Sequence, residues 1–219
     1  MNLTIAVESH PLLEVSAFVT RVGRPTALLE TPAVTAQLAT RDGRAPLGPS
    51  DEVRTAVRDL LRHGGFKPAG RSKPASEYLA TALAEDRFPR INALVDTCNV
   101  VSLHAGLPIS LVDADKLDRS RPDAALAIRV APPGTSYVFN PTGQVIDAGG
   151  LVCLYDAQGP TGTPVKDAQR TKTGDDTRAT LSIVWGTRAL PGRAAAAARW
   201  YRELVAAIDG ATLEDVALA

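Results

Sequence analysis

Three polar side chains set the chemical question. Asn92, Asp96 and Asn99 recur at steps of four and three inside an otherwise apolar run, Arg90 to Leu117, which reads RINALVDTCNVVSLHAGLPISLVDADKL. Residues so spaced share a helix face. Each unpaired polar group costs on the order of 1–3 kcal/mol when buried, so such a stripe must find partners or line a cavity. The structural alternative is a buried helix whose amides and carboxylate hold neighbouring loops. Asn99 and, further on, Ser110 can each donate and accept hydrogen bonds, which suits holding a water or a ribose. Asp96 is a candidate general base, but a carboxylate in this position more often braces a loop. Cys98, mid-helix among apolar residues, reads as inert core rather than as a nucleophile. His104, near the helix end, reads as structural or surface.

Two cationic groups accompany the stripe. Lys67, Arg71 and Lys73 fall close together in a loop that also holds Gly70 and ends at Pro74. Such a loop before a helix can hold an anion, because free amides and the helix dipole point at it; the alternative is an ordinary solvated loop. Arg170, Lys172 and Arg178 form the second group. These residues offer phosphate contacts that position a nucleic acid without reading its sequence.

Other chemistries are excluded by what is missing. The histidines His10, His63 and His104 are scattered with no HExxH pattern, and Cys98 and Cys153 match no metal or redox spacing, so neither a metal site nor a cofactor is expected. No nucleophile elbow or Ser/His/Asp pattern is present. Gly159 to Lys166 lacks the Gly-Lys-Ser/Thr ending of a phosphate-binding P-loop. The 219-residue chain has 24 basic and 24 acidic residues, so no global field drives it to nucleic acid or membrane. The start, MNLTIAVESHPLLEV, has no basic segment followed by a long apolar run, and no stretch approaches the roughly 20 apolar residues of a membrane span. A reduced, cytoplasmic protein is expected.

The elements that must position these residues follow from pattern. Ile91, Leu94, Val95, Cys98 and Val101 give the central helix an apolar face, with Gly106 to end it and Pro108 beyond. The chain then crosses Ile109 to Val112 into the acidic turn Asp113-Ala114-Asp115. Upstream, Leu3 to Val7 reads as a strand, Leu12 to Thr40 is mixed, and 41–49 is a loop. Ser50 caps a helix whose apolar face is Val53, Val57, Leu60 and Leu61 and whose ridge is Arg54, Arg58 and Arg62; Gly64-Gly65 ends it. Pro74 opens another helix, with Tyr78, Leu79 and Leu83 on its apolar face. Downstream, strands are expected over Ala124–Val130, Tyr137–Phe139, Gly150–Tyr155 and Ala179–Trp185. Gln158 to Pro164 reads as a Gly/Pro-rich loop. A helix from about Gly192 to Asp209 carries Trp200, Leu204 and Ile208 on one face. Helices, then strands, then a helix predict an α+β fold, in one domain.

The central stretch resembles the editing domain of the phenylalanyl-tRNA synthetase beta subunit. The residues that carry the resemblance are Asn92, Val95, Asp96 and Asn99, then Gly106 and Pro108, then Asp113, Asp115, Lys116 and Leu117. It continues through Ala127-Ile128-Arg129-Val130-Ala131, the strand ending Tyr155-Asp156, and Asp176-Thr177. It covers roughly residues 50–190, with 1–49 and 191–219 expected as additions packed on that core. The resemblance implies mixed sheets flanked by helices and, with no room for a synthetase body, a freestanding editing domain. Such a protein would bind the aminoacylated acceptor end of tRNA and hydrolyse a wrongly attached amino acid. The alternatives are a non-catalytic RNA-binding module of the same fold and a pocket protein acting on a small amino-acid derivative. Two positions depart from the family. Ser110 stands where the synthetase has a His, and Gln169 falls near a pocket Glu that recognises a tyrosine hydroxyl, which leaves the edited amino acid open. On this reading Asn99 and Ser110 are catalytic, Pro108 and Gln169 or Arg170 line the same cleft, and Lys67, Arg71 and Lys73 hold RNA at its border.

Overall fold

The computed structural model describes residues 3–120 and 126–219. Its strands are β1 (Leu3–Val7), β2 (Leu13–Val22), β3 (Ile109–Asp113), β4 (Leu126–Val130), β5 (Ser136–Val138), β6 (Val145–Asp147), β7 (Val152–Asp156), β8 (Gly159–Gly162), β9 (Ala179–Thr187) and β10 (Ala211–Leu218). Its helices are α1 (Ala33–Leu38), α2 (Asp51–Arg62), α3 (Ala75–Ala84), α4 (Ala93–Ala105) and α5 (Arg193–Ala206).

β9 shows why the sheet forms where it does. Every residue from Ala179 to Thr187 is buried, as expected of a strand paired on both sides and covered on both faces. It pairs antiparallel with β2 along one side and with β3 along the other. The full order is β3-β9-β2-β10-β1-β4-β7-β8, with β1 parallel to both β10 and β4 and the other pairs antiparallel. The fold is α+β, a large mixed sheet flanked by helices.

The two edge strands of this sheet nearly meet. Ser110 on β3 donates to Thr163 O at 3.0 Å, just past the end of β8. A Cβ built on Gly162 would lie 3.3 Å from the Ser110 Cβ, so glycine is what lets the edges approach. Asp167 then takes the place of ladder partners. One carboxylate oxygen accepts Leu111 N–H at 3.0 Å and the other accepts Thr163 N–H at 3.1 Å. Unpaired edge groups are thereby satisfied without a ninth strand.

α4 is the helix that the apolar periodicity predicts, with caps at both ends. Asn92 Oδ1 accepts Val95 N–H at 3.0 Å, and Gly106 adopts φ 67°, a left-handed conformation that glycine takes without strain. It is buried on nearly all sides, between α5, α3, α1 and β3, rather than along one face. Ile91 precedes the helix and is 66% exposed, so it is not part of the apolar face. Ser50 caps α2 by accepting Val53 N–H at 3.2 Å. Arg58 leaves the expected solvated ridge and grips Glu77 of α3 with two bonds of 2.7 and 2.6 Å.

Several expectations are corrected. The segment read as a Gly/Pro-rich loop contains β8, a four-residue edge strand joined to β7 across a register shift at Leu154/Tyr155. Its glycines and proline hid it, since such residues are tolerated at edges and bulges. β2 and β10 are strands that the residue pattern does not announce. β1 and β2, from residues 1–49, and β10, from residues 191–219, lie in the same sheet as β3, β4, β7, β8 and β9. Of the strand expected from Ala124, residues 124 and 125 lie outside the described residues. No described helix is long and apolar enough to cross a membrane.

Candidate functional site

The polar stripe of α4 resolves into three different roles. Asn92 is the helix cap. Asp96 is buried and accepts from Ile91 N–H at 2.7 Å, Arg90 Nε at 3.1 Å and Thr31 Oγ1 at 3.1 Å, which braces two loops against the helix. Asn99 is half-buried, and its side chain makes no hydrogen bond among the described residues. One turn further on, Leu103 and Gly106 border a recess of about 270 Å³ with Ser76, Glu77 and Ala80 of α3.

Ser110 is wholly buried and its hydroxyl is already engaged. It accepts from Trp185 Nε1 at 2.9 Å while donating to Thr163 O. Buried Trp needs such an acceptor. Pro108, also buried, presents its carbonyl to Trp185 N–H at 3.0 Å. The turn from α4 into β3 is therefore locked onto β9 by a single tryptophan.

Asp167, which the sequence reading passed over, lies beneath this arrangement. Burial pushes its carboxyl above the ordinary value of 3.8, and the Ser110 hydroxyl, the Thr163 and Leu111 amides and the Lys172 charge pull it back. Tyr137 joins from the β5–β6 hairpin: its hydroxyl meets Thr163 Oγ1 at 3.0 Å and donates to Lys166 O at 2.5 Å. Cys98 is buried near Tyr201, and burial pushes its thiol up to about 12. Cys153 is likewise buried, with its thiol raised by burial. His104 Nε2 contacts Leu38 O at 2.9 Å.

The structure places the expected site residues in different surroundings. Pro108 and Ser110 come together at Trp185, with Asp167 alongside. Arg170 is committed elsewhere: its guanidinium grips both oxygens of the buried Asp156 at 2.6 Å each and reaches Gly159 O at 3.1 Å. Gln169 Oε1 is buried and has no hydrogen-bond partner. Arg178 donates to Gly23 O at 2.8 Å, at the end of β2.

Lys67, Arg71 and Lys73 are exposed. The end of their loop is tied to the 163–167 segment, since Ala75 N–H donates to Pro164 O at 3.0 Å. Among the described residues Arg71 forms no ion pair with Asp96 or Asp113, which pair with Arg90 and Lys116. Among the described residues no group of three or more His, Cys, Asp or Glu side chains is placed to hold a metal ion.

The comparison with known families fits this geometry. The family model described as the B3/4 domain matches residues 67–191, more than half of the chain. That stretch contains α3, α4, β3 and the whole 159–172 segment. B3/4 is the domain type of the editing region of the phenylalanyl-tRNA synthetase beta subunit. No curated protein matches the chain. The match spans residues 67–191, more than half of the sequence, and the chain belongs to the B3/4 domain family.

Proposed function

We propose that this protein is a freestanding editing domain that hydrolyses the ester of a mischarged aminoacyl-tRNA. The observation that carries the reading is the B3/4 match over residues 67–191, a stretch that includes Asn99, Pro108, Ser110, Gln169 and Arg170. An aminoacyl ester is already activated, so a positioned water and a few dipoles aimed at the developing oxyanion suffice. Asn99 supplies a side chain with free donors and an acceptor on a rigid helix. Ser110 acts from beneath, holding Trp185 and the 163–167 segment in place. Gln169 leaves its side-chain oxygen free to accept a hydrogen bond from the substrate, and Pro108 shapes the turn. Arg170 holds that wall by its grip on Asp156. The loop from Lys67 to Lys73 borders the site and meets phosphates of the acceptor end.

The test is deacylation of a panel of mischarged tRNAs by the full chain. Turnover of any member supports the reading; no turnover across the panel, with tRNA still bound, overturns it. A second reading, a non-catalytic RNA-binding module, is favoured by one observation: the Ser110 hydroxyl is engaged on both sides and has no exposed surface.

A further inference from the structure

Two lysine head groups share one aromatic ring. Lys166 Nζ lies 4.2 Å from the Phe139 ring centroid and Lys172 Nζ lies 5.6 Å from it. Lys172 Nζ also donates to the Phe139 carbonyl oxygen. Arg71 completes the cluster, close enough to Lys166 that its charge, after burial and Lys172, helps push the Lys166 ammonium below the usual lysine range. Lys172 is lowered in the same way by burial, against the pull of Asp167.

The cluster is held in place through its backbone, with Asp167 the carboxylate whose charge acts on Lys172. Tyr137 pins Lys166 O, the bridge between Val112 and Lys172 pins the other lysine, and Lys116 Nζ donates to Lys172 O at 2.7 Å. Ala75 N–H on Pro164 O fixes the arginine loop beside them. Three cations brought together on a neutral ring repel one another, and a shared anion offsets that repulsion. The chemistry suited to two point charges and a planar fork is a phosphate, with Arg71 able to make paired bonds.

We propose that Arg71, Lys166 and Lys172 form a phosphate seat beside Phe139. It rests on the reading above in one respect: the phosphate is taken to be one of the tRNA acceptor end. The seat differs from the sequence-based set, because Lys166 and Lys172 replace Lys67 and Lys73 as the partners of Arg71.

The test has two arms. In the first, an acceptor-stem RNA is titrated against the full chain at several salt concentrations, with Lys166→Gln/Lys172→Gln compared with wild type and with Arg24→Gln, a surface cation paired with Asp209. The double variant is expected to lower the magnitude of the salt slope by about 1–2 and to weaken binding whatever the RNA sequence, while Arg24→Gln leaves the slope unchanged. In the second, wild-type protein is pulse-labelled at its amines with RNA or inorganic pyrophosphate present, and Lys166 and Lys172 are read by peptide mass. Protection by RNA supports the seat and its occupant, and needs no variant to fold. Protection by pyrophosphate without RNA binding supports the seat as a free-phosphate site and overturns the RNA reading. RNA binding with an unchanged slope and no protection by either ligand overturns the seat and leaves the RNA reading standing. With neither ligand bound, both fall.

Discussion

Asn99 and Ser110 differ in what their side chains already hold, and this sets opposite expectations for the two. Asn99 has no hydrogen bond to lose among the described residues, so Asn99→Ala should leave the melting temperature within about 1 °C of wild type. If it positions the ester or a water, turnover of a mischarged tRNA should fall by about 10²-fold, the scale of losing one positioned donor. Ser110→Ala should do the reverse. It strands the Trp185 indole N–H in a fully buried site. Urea unfolding should show a loss of about 1–3 kcal/mol. Cys98 gives a third expectation. With its thiol raised to about 12 by burial, and Cys153 raised in the same direction, neither should react with an alkylating reagent at pH 8 until denaturant is added. A count of labelled thiols by mass decides it. The Asn/Asp stripe was legible in the sequence as a set of residues needing partners. Which partner each would take was not, because Asp96 is satisfied by Thr31 and Arg90 and only the fold brings Thr31 near.

Asp167 acts on strands rather than on a single neighbour, by fastening the free edge of β3 to the segment after β8. Its raised carboxyl makes the native state hold a proton more tightly than the unfolded chain, whose ordinary value is 3.8. Between that value and the raised native one, the native state binds more protons, so this group lowers stability as pH rises through the window. Asp167→Asn should remove that slope from the acid side of a melting-temperature profile, and Asp167→Ala should destabilise at every pH by leaving two edge amides unmet. The profile of wild type against the Asn variant checks the sign. Elements built on strong local signals were readable in advance: the Ser50 and Asn92 caps, the Gly106 stop and the apolar run of β9. β8 was not, since Gly159, Pro160 and Gly162 carry turn chemistry and the strand exists only because β7 lies alongside. Asp167 gave no signal at all; a lone aspartate in a loop looks like any other until the edges of a sheet close over it.

For the molecule as a whole, the consequence lies in where β1, β2 and β10 run. β10 is flanked by β2 on one side and β1 on the other, in the middle of the eight strands. Its alternating burial and its Glu214 and Asp215 read as surface, which is why the sequence offered no strand there. Removing residues 207–219 should therefore abolish the cooperative thermal transition rather than trim an appendage, and circular dichroism of the shortened chain checks it. A 50–190 fragment should fail in the same way, because β9 would lose β2 along its whole length.

The same arrangement governs how the chain reaches this state. Leu3 pairs with Val216, so two neighbouring strands at the centre of the sheet come from opposite ends of the described chain. The loop-closure entropy of that pairing is spent before its contacts return anything, and topologies of this kind cross their rate-limiting barrier slowly. Until β1 and β10 meet, β9 can pair with β2 and β3 but the sheet stays split, with the apolar faces of β4 and β7 on one side and β9 on the other. Refolding is expected to be slow and concentration-sensitive, with losses to aggregation that fall when the chain is diluted.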